Sequence, residues 1–110
     1  MKRNEFINWL EDYSENWTIT EEEDRFITIE YTTMNGESAE FTLTDGDEQE
    51  YENLLYDIYM DFNVDDCVEE WIGGLSGNSI REMVEEAEEV EYELMSLWQA
   101  VVKAGQEQVA

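Results

Sequence analysis

The sequence predicts an α+β fold: an N-terminal helix, a three-stranded antiparallel sheet, then two or three helices ending in a long amphipathic acidic helix. Three observations carry this. Over residues 80–101 the apolar positions Ile80, Met83, Ala87, Val90, Leu94, Leu97 and Val101 recur at alternating spacings of three and four, one face of a helix. Over residues 17–44 the period drops to two, with β-branched and aromatic residues prominent. From Tyr51 to Phe62 it returns to the helical value.

In order along the chain, Phe6, Trp9, Leu10 and Tyr13 stand at helical spacing behind Asn4, a suitable N-cap, so residues 4–14 read as a short helix. Trp17 and Ile19 alternate with Thr18 and Thr20 in a first strand. After a charged turn, residues 26–33 and 37–44 flank Met34-Asn35-Gly36 as a hairpin. A two-residue Asn35-Gly36 turn would pair Ile29 with Thr42 and mix polar with apolar side chains on both faces. A three-residue loop with Gly36 left-handed instead sets Ile27, Ile29 and Tyr31 against Leu43, Phe41 and Ala39, leaving Thr28, Glu30, Thr32, Glu40 and Thr42 to solvent.

The next helix carries Tyr51, Leu54, Leu55, Ile58 and Phe62, with Asp47 as its expected N-cap. A short helix over 65–72 ends at Gly73-Gly74, and the run 73–78 reads as a flexible linker. Ser79 with Glu82 forms a capping box for the long helix, and Gly105 is its expected stop. From Leu94 to Val102 that helix is apolar nearly all round, so residues 94–102 are either central in the fold or a homodimer contact. Nothing in the 110 residues marks a boundary between domains.

The composition is acidic: 30 Asp and Glu oppose five Lys and Arg, giving a formal charge of −25, with Glu outnumbering Asp 22 to 8. Such a chain repels nucleic acid and anionic membranes. Yet 42% of its residues are hydrophobic and 14 are aromatic, which argues for a folded core rather than a disordered tail. The lone Cys67 can form no internal disulfide, and no apolar run resembles a signal peptide or membrane span. A soluble protein of a reducing cytoplasm is therefore expected.

Catalytic and metal signatures are weak. Asp61, Asn63 and Asp65 begin like a calcium loop, but Asp66 stands where Gly is needed and Ile72 where a bidentate Glu is needed. A capped helix start accounts for them better. Glu82 with Glu85, and Glu86 with Glu89, could serve a helix-borne magnesium site only if a second helix supplied a matching carboxylate set, and the only Glu-x-x-Asp pair, Glu21 with Asp24, lies in an expected turn. The absence of His excludes a Ser-His or Cys-His dyad. The carboxylates near Cys67 discourage its use as a nucleophile. No enzyme activity, cofactor or metal is expected.

The remaining signal is carboxylate clustering: Glu82, Glu85, Glu86, Glu89 and Glu93 on the long helix, and Asp65, Asp66, Glu69 and Glu70 before it. Pairs such as Glu82 with Glu86 and Glu89 with Glu93 repel at i,i+4, so isolated-helix stability does not explain them. A salt-adapted surface is the plainer alternative, but it would be expected to use Asp more freely and fewer aromatics. Residues four apart on a helix rise about 6 Å, the scale on which phosphates recur along a DNA strand. A folded domain holding carboxylates this way can occupy a basic groove built for nucleic acid.

In this charge and order of elements the chain resembles the acidic DNA-mimic inhibitors of phages and plasmids, the antirestriction and anti-CRISPR proteins. The likeness implies a basic nucleic-acid-binding protein as partner, a nuclease complex of the host cell, with no binding to nucleic acid or membrane by the chain itself. The two acidic clusters are the expected partner surface, and the hairpin face around Glu30, Glu37 and Glu40 is the competing one. An immunity or antitoxin protein neutralising a basic nuclease toxin has the same composition, so both readings stand at this point.

Overall fold

A computed structural model describes residues 1–44, 50–74 and 77–109, with side chains as far as 106. The elements are α1 (Arg3–Tyr13), β1 (Trp17–Glu22), β2 (Phe26–Thr32), β3 (Ser38–Thr44), α2 (Tyr51–Asp61), α3 (Val64–Gly73) and α4 (Ile80–Val109). This is the expected helix, three-stranded antiparallel meander and three closing helices, with strand order β1-β2-β3. Asp47, the expected cap of α2, and Leu75-Ser76 of the expected linker lie outside the described residues.

The hairpin has the register the sequence requires: Ile27 pairs with Leu43, Ile29 with Phe41 and Tyr31 with Ala39. Its loop is Met34-Asn35-Gly36, closed by the Thr33 amide donating to the Glu37 carbonyl at 2.8 Å, and Gly36 adopts φ +91°. Ile27, Ile29, Tyr31 and Leu43 are buried, whereas Ala39 and Phe41 on the edge strand are half-buried. Thr28, expected in solvent, is buried, so the polar face is not uniformly wet. A bulge between Ile19 and Glu21 breaks the β1–β2 register.

The 30 residues of α4 set the 46 Å long axis of the molecule, as 1.5 Å of rise per residue requires. Met83, Ala87, Val90, Leu94, Leu97 and Val101 form its buried stripe. Ile80, expected to begin the stripe, is 64% exposed: it precedes the point where α4 reaches the core. α4 packs on α2 and α3. Leu94, Leu97 and Val101 are spent inside the fold, so the apolar end of α4 is central. Outside it remains a groove between α2 and α4 containing Tyr56, Trp98 and Val102, with the two rings 5.2 Å apart.

Two boundary expectations need correction. Asn4 lies inside α1, whose N-cap is Lys2 without a side-chain hydrogen bond. The chain start is clipped to α2 instead: the Tyr51 amide donates to the Met1 carbonyl at 2.8 Å, the Met1 ammonium contacts Glu50 and Glu52, and Phe6 stacks on Tyr51 with ring centroids 4.9 Å apart. Gly105 does not end α4. The helix continues to Val109, and a Cβ at Gly105 would stand 3.2 Å from a carboxylate oxygen of the Glu52 side chain of α2. The Ser79 cap is present, accepting from the Glu82 amide at 3.2 Å.

The loop before α3 is a capped helix start. The Asn63 side chain accepts from the Asp65 amide at 2.8 Å and the Asp66 amide at 3.2 Å. Among the described residues no three carboxyl or thiol groups converge as a metal ion would need, and no helix is long and apolar enough to cross a membrane.

The loop at Gly36 yields a direct test. Gly36→Ala places a Cβ at φ +91° and should cost about 1 kcal/mol of unfolding free energy in urea melts. Gly77→Ala, at ordinary φ with open space around the new methyl, should stay within about 0.5 kcal/mol of wild type.

Candidate functional site

The expected acidic surface of α4 divides in two. Glu86 falls between the core positions Met83 and Val90, its i−3 and i+4 neighbours, and is only 3% exposed. It is a structural anchor rather than an outer-face group. One oxygen accepts from the Thr33 hydroxyl and, at 3.1 Å, the Asn35 amide; the other accepts from the Asn78 side-chain amide at 3.2 Å. The Thr33 hydroxyl in turn accepts from the Glu37 amide at 3.0 Å, and Asn78 also donates to Glu37 at 2.8 Å. Neutral donors thus satisfy a buried carboxylate and lock the hairpin loop onto α4.

Glu89 and Glu93 are half-buried on the same flank. The Tyr31 hydroxyl donates to Glu89 at 2.7 Å, and burial followed by that bond pushes the Tyr31 phenol well above its usual pKa. Burial and then the charge of Glu89 raise the pKa of Glu93. The repulsion within Glu82, Glu86, Glu89 and Glu93 is therefore partly explained by contacts that hold the fold together. The true outer face centres on Glu85 and Tyr92, with Glu82 and Glu88 beside them, all four exposed. Glu88 was outside the expected set, although its helical phase opposite the stripe could have placed it there.

On α3 the buried side is Cys67, Val68 and Trp71, and the expected Asp65, Asp66, Glu69 and Glu70 are all exposed. Trp71 anchors this helix to the hairpin by donating from its indole to the Ser38 carbonyl at 2.8 Å. α3 packs directly on α4, bringing the two acidic segments into one body. Among the described residues no Lys, Arg or amino terminus lies within ion-pair distance of the α3 or α4 carboxylates; the ion pairs gather at Met1 and Lys2 with Glu50 and Glu52.

The competing hairpin surface is more constrained. Glu37 is engaged with Asn78, and Glu30 sits directly across from Glu40. Burial, and then the hydrogen bond with Glu40, raises the pKa of Glu30. Cys67 is buried, and burial together with Glu70 and Glu37 pushes its thiol up to about 11, so it is mostly protonated at neutral pH and poorly suited to nucleophilic work.

Comparison with protein-family models, curated protein sequences and solved structures returns no match to this chain.

Two tests follow from this charge arrangement. Glu86→Ala strands the Thr33 hydroxyl, the Asn35 amide and Asn78, and should cost on the order of 3 kcal/mol, whereas Glu85→Ala should shift stability by no more than about 0.5 kcal/mol. The pH dependence has two branches. The raised pKa values of Glu30 and Glu93 mean that the native state binds their protons more tightly than the unfolded chain. Their contribution is full below the ordinary value of 4.5 and is lost as pH rises through their folded values. Glu50, lowered by hydrogen bonds from the amino terminus and Lys2, has the opposite sign: its contribution is full above 4.5 and lost as pH falls through its folded value. Melting temperature should rise as pH is lowered from 7 towards 4.5 and turn down below it; a monotonic fall from pH 7 would contradict these assignments.

Proposed function

We propose that this protein is a non-catalytic DNA-mimic inhibitor. In this reading it blocks the nucleic-acid-binding site of a bacterial defence nuclease, as antirestriction and anti-CRISPR proteins do, and works in the cytoplasm of the host cell of a phage or plasmid. The observation that carries the proposal is an exposed set of carboxylates on two adjoining helices with no ion pair among the described residues: Asp65, Asp66, Glu69 and Glu70 on α3, and Glu82, Glu85 and Glu88 on α4.

Glu86 holds the hairpin, and Glu89 and Glu93 are partly withdrawn, so the contact surface within the long helix is narrower than its sequence suggests. Rigid presentation is what distinguishes such a surface from a disordered acidic tail. The buried stripe of α4 and the Trp71 anchor of α3 fix the carboxylates in space before binding, reducing the ordering cost of association. Unpaired surface charge facing a basic groove also gives fast encounter with strong salt dependence.

The experiment is a displacement assay. Labelled target duplex is bound to each of a panel of nucleases (restriction, RNA-guided and toxin types), and this protein is titrated in. Displacement from a defence nuclease is the expected result, weakening steeply with added salt. Combined Glu82→Lys, Glu85→Lys and Glu88→Lys should reduce it by orders of magnitude, at about 1 kcal/mol or more for each reversed charge. Binding of plain duplex DNA by the chain itself, or full inhibition by the reversed variant, would overturn the reading. Inhibition confined to the toxin nuclease would transfer the assignment to an immunity protein.

A further inference from the structure

We propose that the free edge of β3, with the groove beside it, docks an extended segment of a protein partner in which Lys or Arg alternates with apolar residues. The edge follows from the register. Thr33 and Glu37 form a hydrogen-bonded pair, so alternation along the antiparallel ladder turns the backbone groups of Ala39, Phe41 and Leu43 towards β2 and those of Ser38, Glu40 and Thr42 outward. The Ser38 carbonyl accepts from Trp71, in agreement. The outward groups of Glu40 and Thr42 have no hydrogen-bond partner among the described residues.

Exposed edges are ordinarily blunted by bulges, proline or lysine. The other edge, β1, carries the bulge at Ile19 and Glu21, whereas β3 keeps an unbroken register from Ser38 to Thr44 and contains neither Pro nor Lys. What guards β3 is negative charge. A second copy of this −25 chain is repelled there, while a cationic strand is drawn in.

The two faces of an added strand would meet different chemistry. On one side lies a groove of about 300 Å³ lined by the aromatic pair Phe41 and Phe62, with ring centroids 6.0 Å apart, and by Asp61, Asp66 and Glu70, with Glu40 of the edge strand also reaching it. On the other, Glu30 and Glu40 stand directly opposite each other, a like-charged cross-strand pair that a cation would relieve. Side chains of a strand alternate between faces, so apolar residues fit the aromatic pair while Lys or Arg meets Glu30 and Glu40. The proposal deepens the inhibitor reading by giving the basic partner a strand contact, and it rests on that reading only for the partner's charge.

The test uses labelled synthetic peptides and needs no nuclease. A short peptide alternating Lys with Val should bind the intact protein in a polarisation titration and slow hydrogen exchange at the Glu40 and Thr42 amides. A counterpart N-methylated on alternate amides, with the same charge, should bind at least about tenfold more weakly. Thr42→Pro, which removes an outward N–H while sparing the bonds to β2, should produce a loss of about tenfold, as should Asp66→Asn with Glu70→Gln. The double control Glu11→Gln, Glu15→Gln, beside β1, should bind as wild type. Equal binding of the N-methylated peptide, or wild-type binding by Thr42→Pro shown to be folded by circular dichroism, would overturn the strand site. Peptide binding without nuclease displacement would remove the inhibitor reading alone; displacement without peptide binding would remove the strand site alone.

Discussion

A carboxylate buried without a cation is the constraint on which the arrangement of this protein depends. Glu86 can lose its water only because the Thr33 hydroxyl, the Asn35 amide and Asn78 supply donors in its place. Those donors exist only if the hairpin loop closes as a three-residue loop and lies against the start of α4. The local geometry of Gly36, the register of the sheet and the docking of the long helix are thereby conditions on one another. The Tyr31 bond to Glu89 repeats the arrangement one turn along the helix.

The strong charge is thus divided between two roles. Carboxylates on the shoulder of the α4 stripe act as acceptors in the fold, and those opposite the stripe face water. The division follows from helical geometry: a Glu whose i−3 and i+4 neighbours are core residues is carried towards the sheet whether or not a cation waits there. Few cations are present to take part: the amino terminus and Lys2 pair with the entry to α2, and Arg3 donates to the Glu23 and Asp24 carbonyls of the β1–β2 turn.

Much of the fold was legible in the sequence because its signals were redundant. The hairpin had alternation on both strands, a glycine suited to positive φ, and a register in which only one loop length kept polar and apolar faces apart. The α4 stripe was equally explicit. Helix boundaries were less so. Asn4 has capping chemistry but α1 begins before it, and Gly105 has stop chemistry but lies inside α4, beside the Glu52 side chain of α2. Residue type states what a position can do, while tertiary contact decides which capacity is used. The acidic site showed the same limit: its charge was plain from composition, but the burial of Glu86 depended on donors from the hairpin loop, more than 50 positions away in sequence. The phase of the stripe had already placed Glu86 and Glu93 on its shoulder, and giving that phase more weight than the charge count would have separated anchors from exposed groups.

The placement of the closing stripe bears on how the chain is made. During synthesis the sheet emerges before α4, so the inner faces of Ile27, Ile29, Tyr31 and Leu43 must wait for the helix whose side chains complete their shared core. Over that interval a less charged chain would risk association through its open sheet. The acidity read above as a recognition surface would then also act as an intramolecular chaperone, keeping nascent copies apart until the last helix arrives.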